Sequence, residues 1–177
     1  MQKSTTLLWG LMLAGVTQAA CVQQYGSLTC GSGEVDAVHA SGHVVLKDTT
    51  VRQSVEVSGH MEAQSSHLPV VHVQGAVTFS QCTIAKSCRV EGGLVARDTS
   101  FAGPLDIYAN QATLDNVHAE QINMHHDGRA TTVLSITGNS HIRGDIHIVP
   151  SGATIKVGPQ VQIVGSIIGA TVIKGDQ

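Results

Sequence analysis

Aromatic residues are nearly absent from this chain: two Phe, two Tyr and one Trp, or 3% of 177 residues. Single-stranded nucleic acids need stacking platforms set in a basic groove, and neither is here. The excess charge is acidic, with 10 Lys and Arg against 13 Asp and Glu and a net charge of −3, which excludes the electrostatic footprint of a nucleic-acid binder. No Gly-x-Ser-x-Gly elbow, no phosphate-cradling Gly-rich loop before a helix and no zinc-type cysteine doublet occurs. Beyond the first twenty residues no apolar run approaches membrane length. What is abundant is glycine, with 19 residues, together with Val, Ile and Thr. Small and β-branched side chains without large rings suit thin, stacked β layers better than a helix bundle.

A seven-residue pattern recurs: apolar, three variable positions, apolar, one variable, apolar. It reads Val51 to Val57, Ile84 to Val90, Phe101 to Ile107 and Ile142 to Ile148. A copy one residue short runs Leu68, Val71, Val73. A worn copy keeps Ile122 and Met124 with His118 in the lead slot, and a last copy keeps Ile163 and Ile167. The lead positions step by 17, 16, 17, 17, 24 and 21 residues. A fixed period of this size marks a repeat array whose units are stable only when stacked. Seventeen residues are too few for a strand, a helix and their loops. The expected fold is all-β, a single-stranded parallel β-helix of about seven coils of 16–24 residues. Spacer pairs such as Gly103-Pro104 and Gly144-Asp145 read as turns. Lys47-Asp48-Thr49-Thr50, Arg97-Asp98-Thr99-Ser100 and Gly138-Asn139-Ser140-His141 read as equivalent polar corners whose side chains bond local backbone.

The first 19 residues read as a signal peptide: Lys3, an apolar stretch from Leu7 to Ala14, and the small-residue ending Thr17-Gln18-Ala19. Residues 20–40 then form a lead-in or cap, and 41–177 the β-helix domain. Ala19-Ala20-Cys21 also resembles the end of a lipobox, which makes Cys21 a candidate for acylation and the only route to a membrane. Four cysteines in an exported chain permit disulfides. Local closure favours Cys21–Cys30 and Cys82–Cys88. The alternative for the second pair is two small buried residues. The 24-residue step contains His125-His126-Asp127-Gly128-Arg129, a surplus of about seven residues expected as a loop. The apolar stretch Gly165–Gly175, with no helix to cover the last coil, predicts self-association through that end.

Gly144-Asp-Ile146-His-Ile148 and Gly165-Ser-Ile167, in coils of 17 to 21 residues, resemble bactofilins. That resemblance implies a right-handed parallel β-helix that polymerises through its end coils. Bactofilins are typically cytoplasmic, and the export signal of this chain departs from them.

Two histidine groupings, drawn from ten histidines, are the candidate ligand sets for a transition metal. His43 and His60 fall in equivalent slots of consecutive coils, and His125, His126 and Asp127 share the expected loop. Neither has a third ligand at a recognisable spacing, so no metal or cofactor is assigned. Asp98 and Asp115, 17 residues apart, are the candidate acid pair for glycoside cleavage, with Asp48 as an equivalent two coils before Asp98. Their competing role is as corner residues. Arg143-Gly144-Asp145 reads as a turn inside the repeat. The expected function is a non-enzymatic scaffold of the bacterial cell envelope, periplasmic, outer-membrane-associated or extracellular, which self-associates or joins a larger assembly. An exported protein that binds or cleaves polysaccharide is the alternative.

Overall fold

A computed structural model describes residues 18–175. Most of the segment expected as a signal peptide, residues 1–17, lies outside the described residues. Within them there is no helix, and the chain winds into a β-solenoid of about nine turns. Each coil contributes three short runs, here called faces A, B and C in chain order. In one coil these are Thr49–Val51 on A, then the strand Val55–Gln64, which bends at Gly59 so that Val55–Ser58 lies on B and His60–Gln64 on C. Each run pairs in parallel with its counterpart one coil away.

Alternation along each run sends every second side chain inward. Face A stacks Val51, Leu68, Ile84, Phe101, Ala119 and Ile142 in one column. Face B stacks Val55, Val71, Cys88, Leu105, Ile122 and Ile146. All twelve are buried. Fully burying side chains of this size contributes about 1.5–3 kcal/mol each, so the three faces together supply most of the stacking energy of a coil. Volumes alternate where the column is narrow: Phe79 sits between Ala63 and Ala96 on face C, and its ring meets Phe101 edge-on at 6.0 Å.

The corner from C to A is built the same way in successive coils. Asp48, Ser65, Gln81, Asp98 and Asn116 all take positive φ, between 48° and 56°. Polar residues able to bond local backbone tolerate that conformation best. The next residue points inward and returns a hydrogen bond to the corner: Thr49 Oγ1 donates to the Lys47 carbonyl, Ser66 Oγ to Gln64 and Thr99 Oγ1 to Arg97. Among the described residues no buried side-chain nitrogen or oxygen lacks a partner.

Several expectations are corrected. The coil count rises from seven to about nine because the ladder starts before residue 41, where Ser27–Cys30 already pairs with His43–Leu46, and because Ala170–Lys174 adds a run on Ala153–Val157 beyond the last counted copy. Those end runs lack the complete seven-residue pattern. Within the lead-in, Cys21–Gln24 is an antiparallel strand folded onto Ser27–Cys30 through a Tyr25-Gly26 turn, and the Ala20 carbonyl just before it accepts the Gly31 N–H. In the worn copy the lead slot belongs to Ala119, which is buried beside Phe101, while His118 faces out. A bulge in the preceding coil between Phe101 and Pro104 absorbs the difference in length. The loop after His125 is shorter than expected: two residues separate Tyr108 from Gln111 and seven separate His125 from Val133, a surplus of five.

Cys21 and Cys30 form a disulfide across the hairpin, which suits an oxidising compartment. With its sulfur held there, Cys21 has no free thiol to acylate. Cys82 and Cys88 are not bridged; both are free and buried. Cys82 fills the inward corner slot used by Ser66 and Thr99, with Sγ directed at the carbonyls of Ala63 and Ser80. Cys88 lies on the next face, in the apolar column between Val71 and Leu105. Burial pushes both thiols above their ordinary pKa. A thiol reagent should therefore leave the native protein unmodified and titrate two thiols per chain after denaturation. Fewer than two in the denatured chain would restore a Cys82–Cys88 bridge.

Candidate functional site

Gly42 and Gly59 mark the bend from face B to face C, and each is followed by an outward histidine. Register places His43 beside His60 and Val45 beside Glu62. Glu62 lies two residues after His60, on the same outer side of the same strand, and diagonally from His43. The rings of His43 and His60 are 5.2 Å apart and tilted by 55°. Glu62 Oε1 lies 3.2 Å from His60 Nε2 and 3.5 Å from His43 Nε2. One ligand atom from each of the three lies within 4.8 Å of the others, the only such triad of potential metal ligands among the described residues. Ala76, above His60 in the column, adds no bulk. The sequence reading found the two histidines and missed the carboxylate. The usable signal was the i, i+2 relation of His60 and Glu62 once a strand was assigned to them.

The second histidine grouping is not brought together. His125 stacks flat on Tyr108 at 4.6 Å, and the Arg89 guanidinium lies over the same Tyr108 ring, 4.3 Å from its centroid. His126 Nε2 meets the Pro150 carbonyl at 2.7 Å, while its Nδ1 accepts the Gly128 N–H. Asp127 Oδ1 accepts the Arg129 N–H, an Asx-type contact that shapes the loop. These donors and acceptors are committed to the loop rather than to a common point.

Face B carries an ionic row beside the same corner. Arg89 Nε donates to Glu91 Oε1 at 2.9 Å, and His72 Nε2 lies 3.3 Å from the same oxygen. The Arg89 hydrogen bond first, and His72 second, hold the Glu91 carboxyl below its usual pKa. Between the first two coils Arg52 Nε donates to Glu34 at 2.8 Å, and that contact raises the guanidinium pKa further. These groups are exposed or half-buried at the surface, so each pair contributes little to stability.

The acid pair is corrected. Asp98 aligns with Asn116, whose Nδ2 donates to Asp98 Oδ1 at 3.1 Å, and Asp115 aligns with Arg97. The step at this point is 18 residues rather than 17, so the two aspartates occupy different slots. Asp115 Oδ1 accepts the Thr137 hydroxyl at 2.9 Å. Asp48 shares the corner conformation of Asp98, three coils earlier. The Arg143-Gly144-Asp145 turn is likewise consumed by stacking. Arg143 pairs with Glu120 at 2.7 Å, and Asp145 Oδ1 accepts the Ser166 N–H at 2.7 Å. No family model matches this chain, and neither the curated proteins nor the solved structures include a match to it.

Proposed function

We propose that this protein is a non-enzymatic structural rod of the cell envelope, exported and self-associating through its last coil. The observation that carries the reading is the inequality of the two ends. At the first coil the Ala19 N–H bonds the Glu34 carbonyl, the Gly31 N–H bonds Ala20, and the disulfide-linked strand Cys21–Gln24 lies alongside. At the last coil no described residue stacks on the run Ala170–Lys174. Val172 continues the inward column above Ile155 yet stays 41% exposed, and Val164, Ile168 and Ile173 surround it at 50–70%. An apolar rim around unpaired backbone groups is the edge that β proteins otherwise blunt. A second copy presenting the same end covers it. The disulfide-linked strand Cys21–Gln24 covers the face C run of the first coil, so pairing through the two last coils closes as a two-fold dimer.

The bactofilin-like coil strings support a scaffold at the level of coil length and packing. The Cys21–Cys30 disulfide supports an oxidising, exported setting. Light scattering coupled to gel filtration of the mature protein is expected to give a dimer. The double variant Ile168→Lys, Ile173→Lys is expected to give a folded monomer, because both side chains point outward at the rim and would set like charges against each other. A strict monomer of the unaltered protein at high concentration overturns the proposal.

A further inference from the structure

We propose that His43, His60 and Glu62 form a binding site for a divalent transition-metal ion of the zinc or copper(II) class. Two imidazole nitrogens and one carboxylate oxygen are borderline donors, suited to those ions and poorly suited to calcium or magnesium, which take oxygen ligands. The spacing fits. A tetrahedral ion with bonds of about 2.0–2.1 Å separates its ligands by about 3.3 Å. The two edges of the triad that meet at Glu62, 3.2 Å from His60 and 3.5 Å from His43, bracket that value. The third edge, between the histidines, lies within 4.8 Å and closes by ring rotation. The site is held on strands rather than on a loop. His60 and Glu62 share one strand, and His43 is fixed beside His60 by the parallel ladder. Its outward position leaves the remaining coordination positions to water or to a ligand from a partner.

Such an ion ties two adjacent coils together, so binding is also read as stability. Isothermal titration of tag-free mature protein with zinc is expected to show one site. His43→Ala, His60→Ala and Glu62→Gln should each weaken it by on the order of tenfold or more. Zinc at a hundredfold excess over its dissociation constant should raise the melting temperature by roughly 5–10 °C in the unaltered protein, and calcium or magnesium should not. Copper(II) in place of zinc is expected to bind more tightly. Glu62→Gln keeps the shape of the side chain, so its loss of binding cannot be ascribed to misfolding. Absence of zinc heat overturns the proposal. So does zinc binding that persists in His43→Ala and Glu62→Gln but disappears in His126→Ala, which would move the ion to the loop.

Discussion

Gly75→Ala is expected to lower the melting temperature by roughly 10 °C, while Gly93→Ala leaves it nearly unchanged. Gly42, Gly59, Gly75 and Gly92 stack at the corner between faces B and C, and Gly75 has φ +138°. Two costs coincide there. An L side chain in that conformation costs about 1–2 kcal/mol. An added methyl would also collide with the Gly59 carbonyl oxygen, and the backbone displacement needed to relieve it costs a further ~1–3 kcal/mol. The sum, about 3 kcal/mol, corresponds to roughly 10 °C in a chain of this size. Gly93 lacks both problems: a Cβ there meets only the Ala76 methyl at 3.9 Å, and its backbone is not left-handed. Thermal unfolding followed by circular dichroism separates the two variants. Equal melting temperatures would mean that the corner is not packed coil against coil.

That glycine column also marks how far the sequence was readable. Ser41-Gly42-His43 and Ser58-Gly59-His60 are visibly alike, so the first two members stand out. Gly75 and Gly92 sit in Gln74-Gly75-Ala76 and Glu91-Gly92-Gly93, where nothing but the glycine persists. What is conserved between coils is a backbone conformation, and the outward neighbours are free to change. The apolar columns were legible because burial on one side leaves only apolar choices at every second position. The worn copy misled because His118 lies at the right spacing from Ile122, while the buried lead is the small Ala119 one residue later. Spacing alone cannot register a bulge, and two of them, at Leu68–Val70 and Phe101–Pro104, shift the count between faces A and B. The same limit displaced Asp115 from the slot of Asp98. The metal triad required the third dimension for a different reason. Glu62 approaches His43 diagonally across coils, and no period in the sequence encodes a diagonal.

Ile146→Asp is expected to have a larger effect than Gly75→Ala. Ile146 is fully buried in face B, with Ile122 before it and Ile167 after it in the same column. Loss of the aliphatic side chain costs about 2–5 kcal/mol. The introduced carboxyl then faces only apolar neighbours and must either be buried charged or take up a proton, adding to that cost. The total is comparable to the roughly 5–15 kcal/mol that holds an ordinary domain folded. In a repeat array each coil touches only its neighbours, so the damage is local first. Hydrogen exchange should rise mainly from Val133 onward, while the coils from Val38 to Glu91, next to the disulfide-linked end, stay protected. Two controls isolate the cause. Ile146→Val should cost only about 0.5–1.5 kcal/mol. His147→Asp, at the adjacent outward position, should be tolerated. The sign of the pH dependence gives a further check. A carboxyl forced into the core has a folded-state pKa above its unfolded value, so the variant suffers least below the unfolded pKa and most once pH has risen through the folded one. The gap in melting temperature between Ile146→Asp and the unaltered protein should therefore be narrower at about pH 4 than at pH 7. An unchanged melting temperature and unchanged exchange at pH 7 would place residue 146 outside the core and remove the inward column from face B.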